Sequence, residues 1–231
     1  MANGRRWNYD SSTLSVAFFD LDRTLLSKNS GSLWVKREFK AGRISLRRAA
    51  QASVWLLRYH LGQANIEHAL DRAVATLSGQ SQRDLELRTI QFYDEMIQDL
   101  YRPGALRTVE EHRRKGDKLV LLTSSSEYLS DACRKQLQLD EILCNRFEVG
   151  AEGNFTGTLI KPACYGKGKL EYAIRYLNEV NGTLADSYFY TDSISDLPVL
   201  DAVGHPRIVA PDRKLQRTAA KRGWPVLDWD S

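Results

Sequence analysis

The chain has 231 residues, 42% of them apolar and 27% charged, a balance that suits a folded globular protein and excludes a disordered or fibrous one. Its length accommodates one α/β domain with an insertion and falls short of two independent large domains. The 33 Lys and Arg slightly outnumber the 29 Asp and Glu and are scattered, apart from short clusters such as Arg47-Arg48 and Arg113-Arg114-Lys115. Such an excess favours small anions and excludes a nucleic-acid footprint.

In chain order, Met1 to Thr13 is polar, carries Arg5, Arg6 and Asp10, and has no apolar stretch of the kind a secretion signal needs. Leu14 to Phe19 reads as a short buried strand running directly into Asp20-Leu21-Asp22. From Ser30 to about Leu100 the apolar spacing is helical, through Leu33, Val35 and Phe39, then Val54, Leu57 and Leu61, then Ile66, Leu70, Val74 and Leu77. An all-helical insert is expected there. Its most apolar part, Ala49 to Leu61, is interrupted by Gln51, Ser53, Arg58 and His60, so no transmembrane span is expected. That face suits internal packing, with a membrane surface as the alternative.

Pro103-Gly104 opens a helix through Lys115. Lys118 to Leu122 is a second continuous apolar strand, ending in Thr123-Ser124-Ser125-Ser126; unbroken apolar runs suit parallel strands covered on both faces. Residues 126–138 read as helix, 146–160 as a β-hairpin around Glu152-Gly153-Asn154, and 166–180 as an amphipathic helix. Ser187 to Tyr190 is a third buried strand that meets an acidic loop at Asp192. Ile208-Val209 and Pro225-Val226-Leu227 suit short strands on either side of a helix over 212–222. Strands alternating with helices predict an α/β fold with a doubly wound, Rossmann-like parallel sheet. Its core is expected over 14–29 and 101–231, with residues 30–100 as a helical cap.

Ligands in such sheets bind beyond the carboxyl ends of the strands, where three polar clusters are expected: Asp20 with Asp22, Thr123 with its serines, and Asp192 with Asp196. Two carboxylates one residue apart after a buried strand are costly without a nearby positive charge. Mg²⁺ would supply it, with Asp192 and Asp196 completing a shell of hard oxygens. Each aspartate taken alone also fits an Asx-turn or a helix N-cap. Cys133, Cys144 and Cys164 show neither CxxC spacing nor neighbouring histidines, which points to reduced thiols in a cytoplasmic protein.

The run Phe18-Phe19-Asp20-Leu21-Asp22-Arg23-Thr24-Leu25-Leu26 resembles the DxDxT signature of the haloacid dehalogenase-like phosphatases. The later clusters resemble the family's other motifs in order and spacing, so the likeness extends from Leu14 over nearly the whole chain. The insert resembles the cap of the phosphoserine phosphatase-like branch, and Arg222 to Leu227 is similar to the ending of bacterial members of that branch.

The resemblance implies that Asp20 is the nucleophile and Asp22 the general acid and base. Mg²⁺ would be held by the Asp20 carboxylate, the Asp22 main-chain carbonyl and the Asp192 carboxylate. Asp196 would act through a water or by orienting the motif lysine. Thr123 and the Ser124 N–H would bind phosphoryl oxygens, although Thr123 alone also reads as a helix N-cap. Both Lys167 and Lys169 match the motif lysine, and helical periodicity favours Lys169. Thr191 stands where the family has Gly.

Asn29 occupies the position at which phosphoserine phosphatases carry a glutamate associated with the substrate ammonium. A neutral amide there disfavours phosphoserine. Arg37, Arg43, Arg47, Arg48, Arg58 and Arg72 are candidates for a second anionic group or solvated faces, while Trp34, Trp55 and Tyr59 suit packing. The expected activity is Mg²⁺-dependent hydrolysis of a small phosphorylated metabolite through an aspartyl-phosphate, with a lipid phosphate as a further substrate class. A phosphotransferase or mutase using the same intermediate, and a non-catalytic binding domain on this scaffold, are the alternatives.

Overall fold

The computed structural model describes residues 14–45 and 66–231. The readings placed on Met1 to Thr13 and on residues 46–65, including Ala49 to Leu61 with Trp55, Tyr59, Arg47, Arg48 and Arg58, lie outside the described residues. In chain order the elements are β1 (Val16–Phe19), α1 (Ser30–Lys40), α2 (Ile66–Ala75), α3 (Gln82–Met96), α4 (Pro103–Lys115), β2 (Lys118–Ser126), α5 (Glu127–Leu137), β3 (Glu141–Asn145), β4 (Phe147–Val149), β5 (Phe155–Leu159), α6 (Lys167–Glu179), β6 (Tyr188–Thr191), α7 (Leu197–Leu200), β7 (His205–Val209), α8 (Arg213–Arg222) and β8 (Val226–Leu227).

Six strands form one sheet in the order β3-β2-β1-β6-β7-β8, with parallel pairing throughout. The apolar runs of β1, β2 and β6 explain this, because only a strand covered on both faces can be apolar at every position. Alternate residues enter opposite cores. Ala17, Phe19, Leu119, Leu121 and Tyr190 face one cluster, while Val16, Phe18, Val120, Leu122 and Phe189 face the other with Ala173, Leu177, Val199 and Leu215. The sheet order reverses between β1 and β6, and a crevice at the strands' carboxyl ends is expected at such a reversal.

Two features differ from the sequence reading. Glu141–Asn145 is an edge strand in a stretch where no strand was expected, because Glu141 and the polar residues around it interrupt any apolar run. The insert also reaches beyond helices. Gly79 N–H donates to Phe155 O at 2.9 Å, Phe155 N–H to Gln80 O at 2.9 Å, and Gln82 N–H to Gly153 O at 3.0 Å. Residues 79–82 thus extend the hairpin β4–β5, and α2 rests on it through Leu70, Val74, Phe147, Leu159 and Ala163.

The insert is also tied to the main core, since Phe92 and Tyr93 of α3 and the following Ile97 belong to the cluster containing Phe19 and Leu121. Within the insert, buried Glu38 of α1 accepts from Arg88 of α3 at 2.9 Å and from Arg43 at 3.0 Å, and Arg37 donates to Glu95 at 3.0 Å. Arg37 and Arg43 therefore hold glutamates of the protein itself.

On the other side of the site, buried His112 of α4 bridges two elements. Its Nδ1 lies 2.6 Å from Asp117 Oδ2 and its Nε2 lies 2.8 Å from the Tyr190 hydroxyl, with Phe19 and Tyr188 edge-on to the ring. Burial holds the His112 pKa below its ordinary 6.5, against the opposing pull of Asp117. The unfolded chain therefore takes up a proton at a higher pH than the folded one, so this stabilisation is present above the ordinary pKa and is lost as pH falls through the lowered folded pKa. His112→Gln should cost about 1–3 kcal/mol at neutral pH. The gap between wild type and variant, followed by urea unfolding, should narrow as pH falls below the ordinary 6.5. A gap independent of pH would mean that His112 is not held neutral.

Candidate active site

The crevice at the ends of β1 and β6 is lined by Asp20, Asp22, Asn29, Thr123, Ser124, Asp192 and Asp196, together with Arg23, Ser193 and Asp212. Asp20 follows β1 and is fixed by its N–H donating to Tyr190 O at 2.9 Å. The residue is 7% exposed, and its carboxylate accepts from Lys169 Nζ at 2.7 Å and more weakly from Thr24 Oγ1 at 3.4 Å. Lys169 also donates to Asp196 Oδ2 at 2.9 Å, so one buried ammonium joins two carboxylates from opposite ends of the chain. Lys167 is exposed. Between the two lysines, Gly168 is packed so closely that a Cβ there would lie 1.9 Å from Ala163 O, which seats the first turn of α6 against the preceding loop and turns Lys169 inward.

Thr191, in place of a glycine, donates from Oγ1 to Asp196 Oδ2 at 2.7 Å, so the substitution adds a bond to this chain of charges. Asp192 is 6% exposed and lies 3.5 Å from Arg23 Nε. Asp212, which the sequence marked only as the start of a helix, caps α8 and accepts from Ile194 N–H at 2.7 Å, holding the Asp192 loop.

Asp22 is turned the other way. Its Oδ1 accepts from Ser30 N–H at 2.7 Å and its Oδ2 from Asn29 Nδ2 at 3.3 Å. Asn29 Oδ1 in turn accepts from Ser32 N–H at 2.8 Å, capping α1. The structure thus engages the Asn29 amide with Asp22 and α1. Thr123 is buried and its Oγ1 accepts from Ser125 N–H at 3.2 Å. β2 runs on to Ser126, the N-cap position of α5, so Thr123 is not a helix cap and Ser124 lies in the strand rather than at a helix start. Ser124 is held by Oγ donating to Cys164 O at 2.8 Å and by its carbonyl accepting from Asn145 Nδ2 at 2.7 Å.

Burial pushes the Asp20 pKa up to about 7, with Lys169 opposing and Asp196 adding to the rise. Burial likewise raises Asp22, against the Ser30 bonds, and holds Asp192 well above the usual carboxylate range, with Asp20 adding to it. The common cause is burial, which disfavours each charged carboxylate, and mutual repulsion adds to it at Asp20 and Asp192. A small divalent cation would relieve this repulsion, and the available donors are hard oxygens of the kind Mg²⁺ takes. Asp196 Oδ1 is buried with no hydrogen-bond partner in the protein, leaving one further acceptor beside them.

Four carboxylates do not converge, however. Among the described residues no group of three or more His, Cys, Asp or Glu side chains is arranged to hold a metal, because Asp22 turns to Ser30 and Asp196 to Lys169. The fitting set is Asp20, Asp192 and main-chain oxygen.

A wider cleft of about 430 Å³ lies beside the start of β7, at the opposite edge of the sheet. Its arginines are engaged, Arg222 with Asp201 and the Trp224 ring and Arg207 over Tyr188.

The family model described as haloacid dehalogenase-like hydrolase matches residues 17–201. A histidinol-phosphatase of Neisseria meningitidis serogroup C is 30% identical, over 93% of this chain and 99% of that protein. The inhibition of morphological differentiation protein of Streptomyces azureus is 33% identical, over 93% and 78%. Among solved structures, a Bordetella pertussis protein of unknown function superposes with a TM-score of 0.85 at 27% identity, over 94% of this chain and all of that one. A phosphoserine phosphatase structure carrying an analogue of the phospho-aspartyl intermediate shares the fold, with a TM-score of 0.69 at 18% identity over 95% and 94%. Together with the strand-end acids and the lysine between them, these likenesses establish that the chain belongs to the haloacid dehalogenase-like hydrolases and is an enzyme.

Proposed function

We propose that this enzyme hydrolyses the phosphomonoester of a small metabolite, with Asp20 as nucleophile and Mg²⁺ as cofactor. The observation that carries the reading is the buried link from Asp20 through Lys169 to Asp196, 2.7 Å and 2.9 Å long, at the carboxyl ends of β1 and β6. An aspartate fixed by its own N–H and by a lysine has one carboxylate oxygen held, while the other, met only by Thr24 Oγ1 at 3.4 Å, is the one that attacks. Its attack on phosphorus forms an acyl-phosphate and expels the alkoxide, dividing hydrolysis into two steps. Asp22, turned toward Ser30 and Asn29, protonates the alkoxide and then takes a proton from the water that cleaves the acyl-phosphate. Burial raises its pKa, the direction that a general acid needs.

Thr123 Oγ1, the Ser124 N–H and Lys169 take the phosphoryl oxygens as charge develops on them. Mg²⁺ held by the Asp20 and Asp192 carboxylates and the Asp22 carbonyl would neutralise the repulsion between the nucleophile and the phosphate. Among the described residues no helix is long and apolar enough to cross a membrane. The three cysteines are free and buried, which supports a reducing compartment such as the cytoplasm.

Histidinol phosphate is the first substrate to try, because a relative matched over nearly its whole length is a histidinol-phosphatase. The amide of Asn29 carries no charge and is already engaged with Asp22 and α1, which disfavours phosphoserine; histidinol phosphate also carries an ammonium, so its candidacy rests on the relative alone.

Asp20→Asn should lower kcat by at least ~10³-fold while leaving the circular dichroism spectrum unchanged; a variant keeping a tenth of the activity would refute the nucleophile. Asp22→Asn should lose about 10²–10⁴-fold on alkyl phosphates and much less on nitrophenyl phosphate, whose leaving group needs no proton. Equal losses on both would remove Asp22 as the acid. Across a panel of phosphomonoesters, kcat/KM should require Mg²⁺, disappear with chelator, recover poorly with Ca²⁺, and rank at least some esters without an ammonium above phosphoserine. Activity that survives chelation, or phosphoserine in first place, would contradict the metal and the substrate readings respectively.

A further inference from the structure

Arg23 sits between the two motif acids and the rest of the loop with φ 61 and ψ 0, a left-handed conformation that a residue with a side chain adopts only when its surroundings hold it there. Three contacts around it come from one place. Arg102, 7% exposed, donates from Nη2 to Arg23 O at 3.2 Å. The Arg102 N–H donates to Leu25 O at 2.9 Å, and Ser27 N–H donates to Leu100 O at 2.9 Å, so residues 100–102 run alongside 25–27.

The other arm of the Arg102 fork is paired with Asp230, and the neighbour of Asp230 is anchored. Trp229 is buried, its ring stacks on Tyr190 with centroids 5.3 Å apart, and its carbonyl accepts from Gly104 N–H at 2.9 Å. Gly104 permits this approach, since a Cβ there would lie 2.5 Å from Trp229 Cα. Tyr190 O, in turn, receives the Asp20 N–H.

We infer that Arg102, steadied by Asp230, is a positioning residue: it locks Arg23 in the left-handed conformation and thereby fixes the direction of the Asp22 carbonyl. The reasoning is geometric. The Asp22 carbonyl belongs to the peptide unit between Asp22 and Arg23, whose plane is set by Asp22 ψ and Arg23 φ, here 125 and 61. Tethering the next carbonyl, that of Arg23, removes the rotation that would swing this plane. The inference rests on the proposed metal site, in which the Asp22 carbonyl is a ligand, and it assigns the pre-setting of that ligand to a residue about 80 positions away in sequence. The fork is needed because a lysine ammonium is a single point of charge and cannot hold a carboxylate and a carbonyl in one plane.

The test measures Mg²⁺ affinity by titration calorimetry and melting temperature without metal, on the full chain. Arg102→Lys should weaken Mg²⁺ binding by about tenfold or more, the range expected for a residue that orients a ligand from outside the metal's own shell. Asp230→Ala should weaken it in the same direction and Asp230→Glu should restore it. Val203→Ala, a core change in the opposite cluster at the far end of the strands, should lower the melting temperature and leave the affinity unchanged. If Arg102→Lys binds Mg²⁺ as tightly as wild type, the inference is overturned, whatever the melting temperature does. If Val203→Ala weakens binding equally, affinity follows global stability and the inference is overturned as well. If wild type takes up no Mg²⁺, the functional reading itself fails and the inference falls with it, an outcome distinct from the other two.

Discussion

Among the described residues Lys169 is the one cation buried among the acids of the crevice, and its two short bonds to Asp20 and Asp196 are the constraint on which the site is assembled. Removing an ammonium from water is unfavourable by several kcal/mol unless carboxylates face it closely. The first turn of α6 must therefore stay pressed on its neighbouring loop, and β1 and β6 must end level with each other. Thr191 adds a donor to Asp196 and Asn145 ties the end of β2 to Cys164 N–H. Each of these bonds is local, and their joint effect is to bring acids far apart in sequence to one sheet edge. The same burial that makes the ammonium costly raises the pKa of Asp20, Asp22 and Asp192.

The topology supplies the rest. Reversal of strand order between β1 and β6 leaves their following loops side by side, so that Asp20 and Asp192 become neighbours without any long-range design of side chains. Behind them runs a stack of rings, Phe19 on Tyr190 and Tyr190 on Trp229, with His112 bonded to the Tyr190 hydroxyl. The floor of the site is thus rigid aromatic packing, and its polar residues stand on that floor.

Much of this was legible in the sequence because its signals are local. The apolar strands ending in acids, the helix from Pro103 and the hairpin around Gly153 all carry their own periodicity or turn chemistry. Lys169 was separable from Lys167 by helical phase alone, and the structure places only Lys169 beside the acids. What escaped was long-range. The polar edge strand Glu141–Asn145 gains its identity from pairing with β2, and Asp212 acquires its second partner, Ile194, from a loop 18 residues away. Asn29 matched a substrate-reading position in the phosphatase motif, yet its amide serves Asp22 and α1, a choice settled by where α1 begins. Arg102 looked like one arginine among many, and only the fold brings Arg23 O and Asp230 within its reach.

The anchoring of α3 bears on how such enzymes diversify. Phe92, Tyr93 and Ile97 share a cluster with Phe19 and Leu121, so the inserted segment is not a detachable module. A chimera that exchanged residues 30–100 wholesale for the equivalent segment of another hydrolase would tear three side chains out of the core that α4 and α5 also cover. It would also remove Ser30, whose N–H holds Asp22, and Trp34, whose ring meets Phe92. Joints that keep both α1 and α3 would preserve those contacts, so exchange is confined to what lies between them.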